Sequence, residues 1–239
     1  MSPRGRSEQP FREERLLDAA GELLLRLGYR RVTVEDVATR AGVGKGTVYL
    51  HWKTKQELFA TLLLREVGEV MRELVERMRA DPNEVLLHRM VRLSFLAIMQ
   101  RPLARALYTR DVDTLGRLAA SELLQDRQRA SNALFVEYVD LLRKHGLLRT
   151  DTDRETQVYA LNAAGAGFYF MEPFLAPDAQ PPLERKAAIL AEVIRLAFAP
   201  PGDPDPKALD AVAPRAIELF GLMHTRCQPD PATSVQEQS

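Results

Sequence analysis

Apolar residues along this chain recur at the spacing of one helix face, and glycines and prolines cut the pattern into pieces of a few turns each. Leu16, Ala19, Ala20, Leu23, Leu24 and Leu27 stand at i, i+3, i+4, i+7, i+8 and i+11. That is one stripe of an α-helix and does not fit the two-residue alternation of a strand. Leu, Ala, Glu and Arg dominate the composition, and these side chains lose little freedom in a helix. At 239 residues the chain is long enough to bury a core. The sequence predicts an all-α fold.

The spacing predicts a first helix over residues 11–27, stopped by Gly28. A short helix follows from Thr33, with Asp36 in the capping-box position usually held by Glu or Gln. A third covers 45–52, and Thr54 with Glu57 opens a long helix that ends near 79, before Asp81-Pro82. Further helices are expected over 84–100, 103–109, a short stretch after Asp111, and 122–145 with Gly146 behind it. Thr152 or Asp153 caps one that reaches Met171; the next covers 183–198, and the last follows a proline-rich break at 200–206 and covers 207–225. The polar residues from Gln228 onward, with Pro229 and Pro231, are expected to lack fixed structure. So is the polar, basic segment 1–10.

Residues 33–52, TVEDVATRAGVGKGTVYLHW, place two short helices around a tight turn at Gly42, the layout of a helix-turn-helix. Val37, Ala38, Val43 and Val48 hold the pair together, which leaves Lys45, Thr47, Tyr49, Leu50 and His51 to look outward. Those outward types suit DNA. Lys45 would meet phosphate or a guanine edge, and Thr47 offers a hydroxyl and a methyl. Tyr49 and His51 would donate to phosphate oxygens. Lys55 lies in the first turn of the next helix, where its charge opposes the helix dipole unless an external anion balances it.

Charge is uneven along the chain. Residues 1–55 carry eleven Lys/Arg against seven Asp/Glu, a net +4, although the whole chain has 33 of each sign. A basic head on an acidic body fits a phosphate-binding module joined to a different domain. His51, His88, His145 and His224 are isolated, no glycine-rich phosphate loop follows a strand, and Cys227 stands alone. These absences argue against an enzyme, a metal site or a disulfide framework, and no cofactor is expected. Residues 1–10 have no apolar core to serve as a secretory signal, and no run approaches the roughly 20 apolar residues of a membrane span. A soluble cytoplasmic protein is expected.

From Phe11 to Leu62 the sequence resembles the DNA-binding region of the TetR/AcrR family. The resemblance rests on Gly28-Tyr29, Thr33-Val34, Ala41-Gly42-Val43, Lys45-Gly46-Thr47-Val48-Tyr49, Trp52 and Thr54-Lys55-Gln56-Glu57-Leu58. Two positions depart from the family pattern: Gly44, where Ser is common, and Leu50, where polar residues are frequent. The resemblance implies phosphate contacts from Thr33, Tyr49, His51 and Lys55, and base contacts from Lys45, Gly46 and Thr47. It leaves Arg4 and Arg6 as either a minor-groove arm or a solvated tail. It also implies a layout of a basic arm (1–10), a helix-turn-helix domain (11–54), a helical regulatory and dimerisation domain (55–227) and a tail (228–239).

Within that layout the resemblance implies a homodimer formed through the helices near 153–171 and 183–198, and a palindromic double-stranded DNA operator. It further implies repression that a small-molecule effector relieves. The small residues Ala160, Ala163, Ala164, Gly165, Ala166 and Gly167 would serve either that interface or close packing inside one subunit. Candidate effector contacts are Phe95, Met99, Tyr108, Phe135, Tyr138, Asn162, Phe168, Tyr169 and Met171, mixed aromatic, thioether and polar groups that line cavities and equally fill cores. A regulator gated by a protein partner, or blind to ligands, is one alternative, and a helical enzyme a more remote one.

Overall fold

The computed structural model describes residues 4–171 and 174–228, with side chains from residue 12 onward except Pro177. Among these residues every regular element is helical: α1 (Arg4–Arg31), α2 (Val34–Ala41), α3 (Lys45–His51), α4 (Lys55–Ala80), α5 (Leu87–Met99), α6 (Pro102–Tyr108), α7 (Val112–Leu115), α8 (Glu122–Lys144), α9 (Arg154–Phe170), α10 (Leu183–Phe198) and α11 (Pro206–Cys227). None of the described helices is long and apolar enough to cross a membrane.

The chain forms two compact units that do not follow contiguous segments divided at residue 54. The first takes residues up to Glu66, then Pro102–Arg127 and the residues from Cys227; the second takes Val67–Arg101 and Gln128–Arg226. The reason lies in the first core. Leu16, Ala20 and Leu24 of α1 are buried with Val37 of α2, Val48 of α3, Leu58 and Leu62 of α4, and also Leu103, Leu115 and Leu118. The apolar stripe of α1 is wide enough to need α6 and α7, which lie against it.

The start of α1 differs from expectation. It begins at Arg4, so residues 4–10 continue the helix, while the side chains of Arg4 and Arg6 lie outside the described residues. Gly28 interrupts the helix where the sequence places its stop, at the non-helical φ 73° and ψ 157°, and a short further helical turn runs on to Arg31. The position requires glycine: a Cβ at residue 28 would stand 2.6 Å from the Asp113 carbonyl oxygen, so α7 meets bare backbone there. The tail expected from residue 228 falls, after Gln228, outside the described residues.

In the second unit α5 packs along α10. The single helix expected over 84–100 is two pieces. A 3₁₀ turn, Pro82–Val85, is capped by the Asp81 carboxylate, and extended backbone at Leu86 separates it from α5. That break lets Val85 and Leu86 both turn inward. Tyr138 of α8 is fully buried, donates to the Val85 carbonyl at 2.7 Å and meets Phe220 edge-on at 5.2 Å. His224 of α11 reaches the Gly68 carbonyl of α4 at 2.9 Å. Asp153 caps α9 by accepting from the Thr156 N–H at 2.8 Å. Gln157 anchors the same turn, accepting from Arg143 at 2.6 Å and donating to the Arg149 carbonyl at 2.9 Å.

Candidate nucleic-acid interface

Thr33 sets the entry to the two short helices. Its hydroxyl accepts from the Asp36 N–H at 3.1 Å while Asp36 accepts from the Thr33 N–H at 2.8 Å, a complete reciprocal capping box. The same carboxylate accepts the Thr33 hydroxyl proton at 2.7 Å. These bonds hold the Asp36 carboxyl below the ordinary aspartate pKa. They also commit both donors of Thr33 to the cap, so the residue orients α2 and has no proton left to offer a phosphate.

Gly42 ends α2 in the left-handed conformation, φ 68° and ψ 36°, where a side chain would strain the backbone. Its N–H and that of Val43 close back on Thr39 and Ala38 at 3.1 and 2.9 Å. Arg15 of α1 donates to the Ala41 carbonyl at 2.6 Å and so ties the turn to the first helix. No sequence signal marks that bond, because its partners are 26 residues apart.

Val48 is the buried residue of α3, and it points the rest of the helix outward. Lys45, Gly46, Tyr49 and Leu50 are exposed; Thr47 and His51 are half-buried. Nothing lies within 4 Å of where a Cβ would stand at Gly44 or Gly46, so the first turn of α3 presents open backbone. The Lys45 ammonium is 3.6 Å from the Glu35 carboxylate, with both side chains more than half exposed, a pairing that adds little stability. Trp52 closes α3, its indole N–H donating to the Thr61 hydroxyl at 3.1 Å.

Lys55 has an internal partner that sequence reasoning did not anticipate. Its ammonium donates to the Tyr29 carbonyl at 2.5 Å and sits 4.4 Å above the centre of the Tyr29 ring. Burial lowers its pKa, opposed by the nearby Asp36 charge. The cation at the start of α4 thus meets the carbonyl end of α1, where a positive charge is favoured. Glu57 completes the entry to α4 by donating its N–H to Thr54 at 3.1 Å and accepting from the Lys53 N–H at 2.8 Å.

The nine candidate effector contacts do not converge. Tyr108 belongs to the first unit and the other eight to the second. Phe95 is fully buried and packs near Phe168 and Tyr169, at ring separations of 6.4 and 5.1 Å. Phe135 meets Tyr138 at 6.0 Å, and Tyr138 is a satisfied core side chain. Met99 is half-buried and Met171 exposed. Asn162 is exposed, with its amide donating to the Val158 carbonyl of its own helix at 2.8 Å. Two surface hollows of the second unit, about 650 and 180 Å³, lie around Arg149 and Asp151 and include none of the nine. Cys227 is buried, and burial pushes its thiol up to about 11, so the group stays protonated.

Comparison with known proteins agrees with this geometry. Residues 16–62 match the family described as bacterial regulatory proteins, tetR family. An uncharacterised HTH-type transcriptional regulator of Mycobacterium tuberculosis strain H37Rv is 30% identical over 108 residues, which cover 42% of this chain and 56% of that regulator. The chain thus spans little more than half of that relative's length. The HTH-type transcriptional repressor KstR2 of Mycolicibacterium smegmatis is 25% identical over 64% of this chain and 75% of its own. Among solved structures, SmeT, the repressor of the Stenotrophomonas maltophilia multidrug efflux pump SmeDEF, is 25% identical, covers 80% of this chain and 93% of its own, and superposes with a TM-score of 0.57. SmeT in complex with triclosan gives 0.58 with the same coverage.

Proposed function

We propose that this chain, whose residues 16–62 match the tetR family of bacterial regulatory proteins, is a dimeric repressor, released from a palindromic operator by a small molecule. The observation that carries the reading is the outward face of α3. Val48 anchors the helix, and Lys45, Gly46, Tyr49 and Leu50 stand free of the core on a braced two-helix unit. A helix so held enters the major groove while its partner braces it across the backbone. In this reading Lys45, Gly46 and Thr47 approach bases, and Tyr49, His51 and the ammonium of Lys55 face phosphates.

Dimerisation through α9 and α10 is supported by apolar exposure that a single chain leaves open. Tyr159 is 77% and Leu196 62% exposed, with Ile189, Val193 and Phe170 also exposed, an apolar surface of the kind that marks an interface. Nothing lies within 4 Å of a Cβ at Gly165 or Gly167, so packing within the described chain does not account for these two glycines of α9. The effector reading draws on the family's habit and on SmeT, which has been solved with triclosan.

The test is selection of bound fragments from genomic DNA by the purified protein at near-physiological salt. The expected result is a palindrome whose half-sites are spaced for two copies of α3, about 34–36 Å or a multiple apart. Enrichment of no sequence would remove the reading.

A further inference from the structure

We propose that Leu50 reads the 5-methyl group of a thymine in each operator half-site, an inference that rests on the DNA-binding reading above. Leu50 is 84% exposed, the most exposed large apolar side chain among the described residues. A lone exposed leucine is common on protein surfaces and by itself says nothing. Here the position speaks. Leu50 stands on the outward face of α3 together with Lys45, Gly46 and Tyr49, on a helix whose orientation the buried Val48 and the left-handed turn at Gly42 fix.

Helical side chains lean toward the preceding turn, which for Leu50 begins at Gly46. Beyond the helix's own backbone and the adjoining residues no atom lies within 4 Å of a Cβ there, so the surface toward which the leucine leans is open. On α3 the other exposed residue with a large apolar surface is Tyr49, which carries a hydroxyl, whereas α9 and α10 each expose several: Tyr159 and Phe170 on α9, Ile189, Val193 and Leu196 on α10. A protein partner would be expected to meet several contiguous apolar residues, whereas Leu50 sits among Lys45, Tyr49 and His51. In a major groove those polar neighbours meet phosphates and base edges, and the thymine methyl is the apolar feature that an aliphatic side chain matches.

Deoxyuridine pairs as thymidine does and lacks only the methyl, so a thymine-to-uracil scan of the selected operator isolates the contact. Affinity of the full-length protein is measured for each singly substituted duplex at one salt concentration. One thymine per half-site should prove sensitive, weakening binding about fourfold when replaced in one half-site and about fifteenfold in both, as expected for withdrawing one methyl from an apolar contact. L50A should bind thymine and uracil duplexes alike while melting at the wild-type temperature.

A selected site with no methyl-sensitive position overturns the inference alone, as does an L50A protein that keeps the fourfold discrimination. If L50A instead changes the sedimenting mass and leaves discrimination intact, Leu50 is a protein contact. Failure to select any site removes the DNA-binding reading and the inference with it.

Discussion

Lys45 and Lys55 were both expected to face DNA, Lys45 toward bases and Lys55 toward phosphate, and their surroundings separate them further. Lys45 has one exposed partner, Glu35, at 3.6 Å, whereas Lys55 is tied to the Tyr29 carbonyl and ring. Replacing Lys45 with Ala should leave thermal unfolding unchanged, weaken DNA binding and reduce the salt slope by about one counterion. Replacing Lys55 with Ala should also lower stability, on the order of 1 kcal/mol from the lost charged hydrogen bond and cation–π contact. Calorimetry and a salt titration of both variants check the distinction; equal melting temperatures would refute it. Sequence revealed both lysines but not the difference, because Tyr29 and Lys55 meet only after α1 bends at Gly28. Asp36 carries a pH dependence of definite sign. Its carboxyl lies below its ordinary value of 3.8 in the folded chain. Its contribution is therefore complete above the unfolded pKa and is lost as pH falls through the lower folded value. Asp36→Asn should be less stable at neutral pH, and its melting curve should approach that of the wild type in acid.

Elements were legible wherever a cap or breaker announced them. Thr33 with Asp36, Thr54 with Glu57 and Asp153 each start a helix as their spacing predicts, since a capping side chain acts within one turn and its signal is local. The bounds that sequence missed depend on distant partners. The break at Leu86 serves the burial of Val85 and Leu86. The aromatic candidates for an effector site failed to announce themselves for a related reason: Phe95 and Tyr138 have the same helical spacing whether they fill a core or line a cavity. Glycines separate the two kinds of constraint. Gly28→Ala should unfold the first unit at markedly lower temperature, because its Cβ would meet backbone at 2.6 Å. Gly46→Ala should do the opposite, raising stability by up to about 1 kcal/mol, since Ala is the better helix former and the site is open. On the proposed reading, in which bare backbone at Gly46 approaches the bases, the same change should weaken DNA binding. A Gly46→Ala protein that gains stability without losing affinity would place that turn away from the groove.

For the molecule as a whole, the apolar faces of α9 and α10 make a direct expectation. Tyr159→Glu with Leu196→Glu should yield a single chain by sedimentation and weaken binding to a palindrome by about 10²-fold, the loss of linked half-sites, while isolated half-sites bind as before. A double variant that remains dimeric would move the interface elsewhere. The split into two units was the least legible feature, because nothing in residues 102–118 says that Leu103, Leu115 and Leu118 belong with Leu16 rather than with their chain neighbours. That arrangement governs the order of events during synthesis. Domains near an N-terminus commonly fold first as the chain leaves the ribosome; this one has to wait, since its core is closed by residues made long after the recognition helix. A nascent chain stalled with residues 1–66 emerged should remain open to protease, and one stalled with residue 127 clear of the tunnel should be protected. Until then α3 exists as sequence without a scaffold to aim it, and on the proposed reading the growing polypeptide would have no grip on the chromosome.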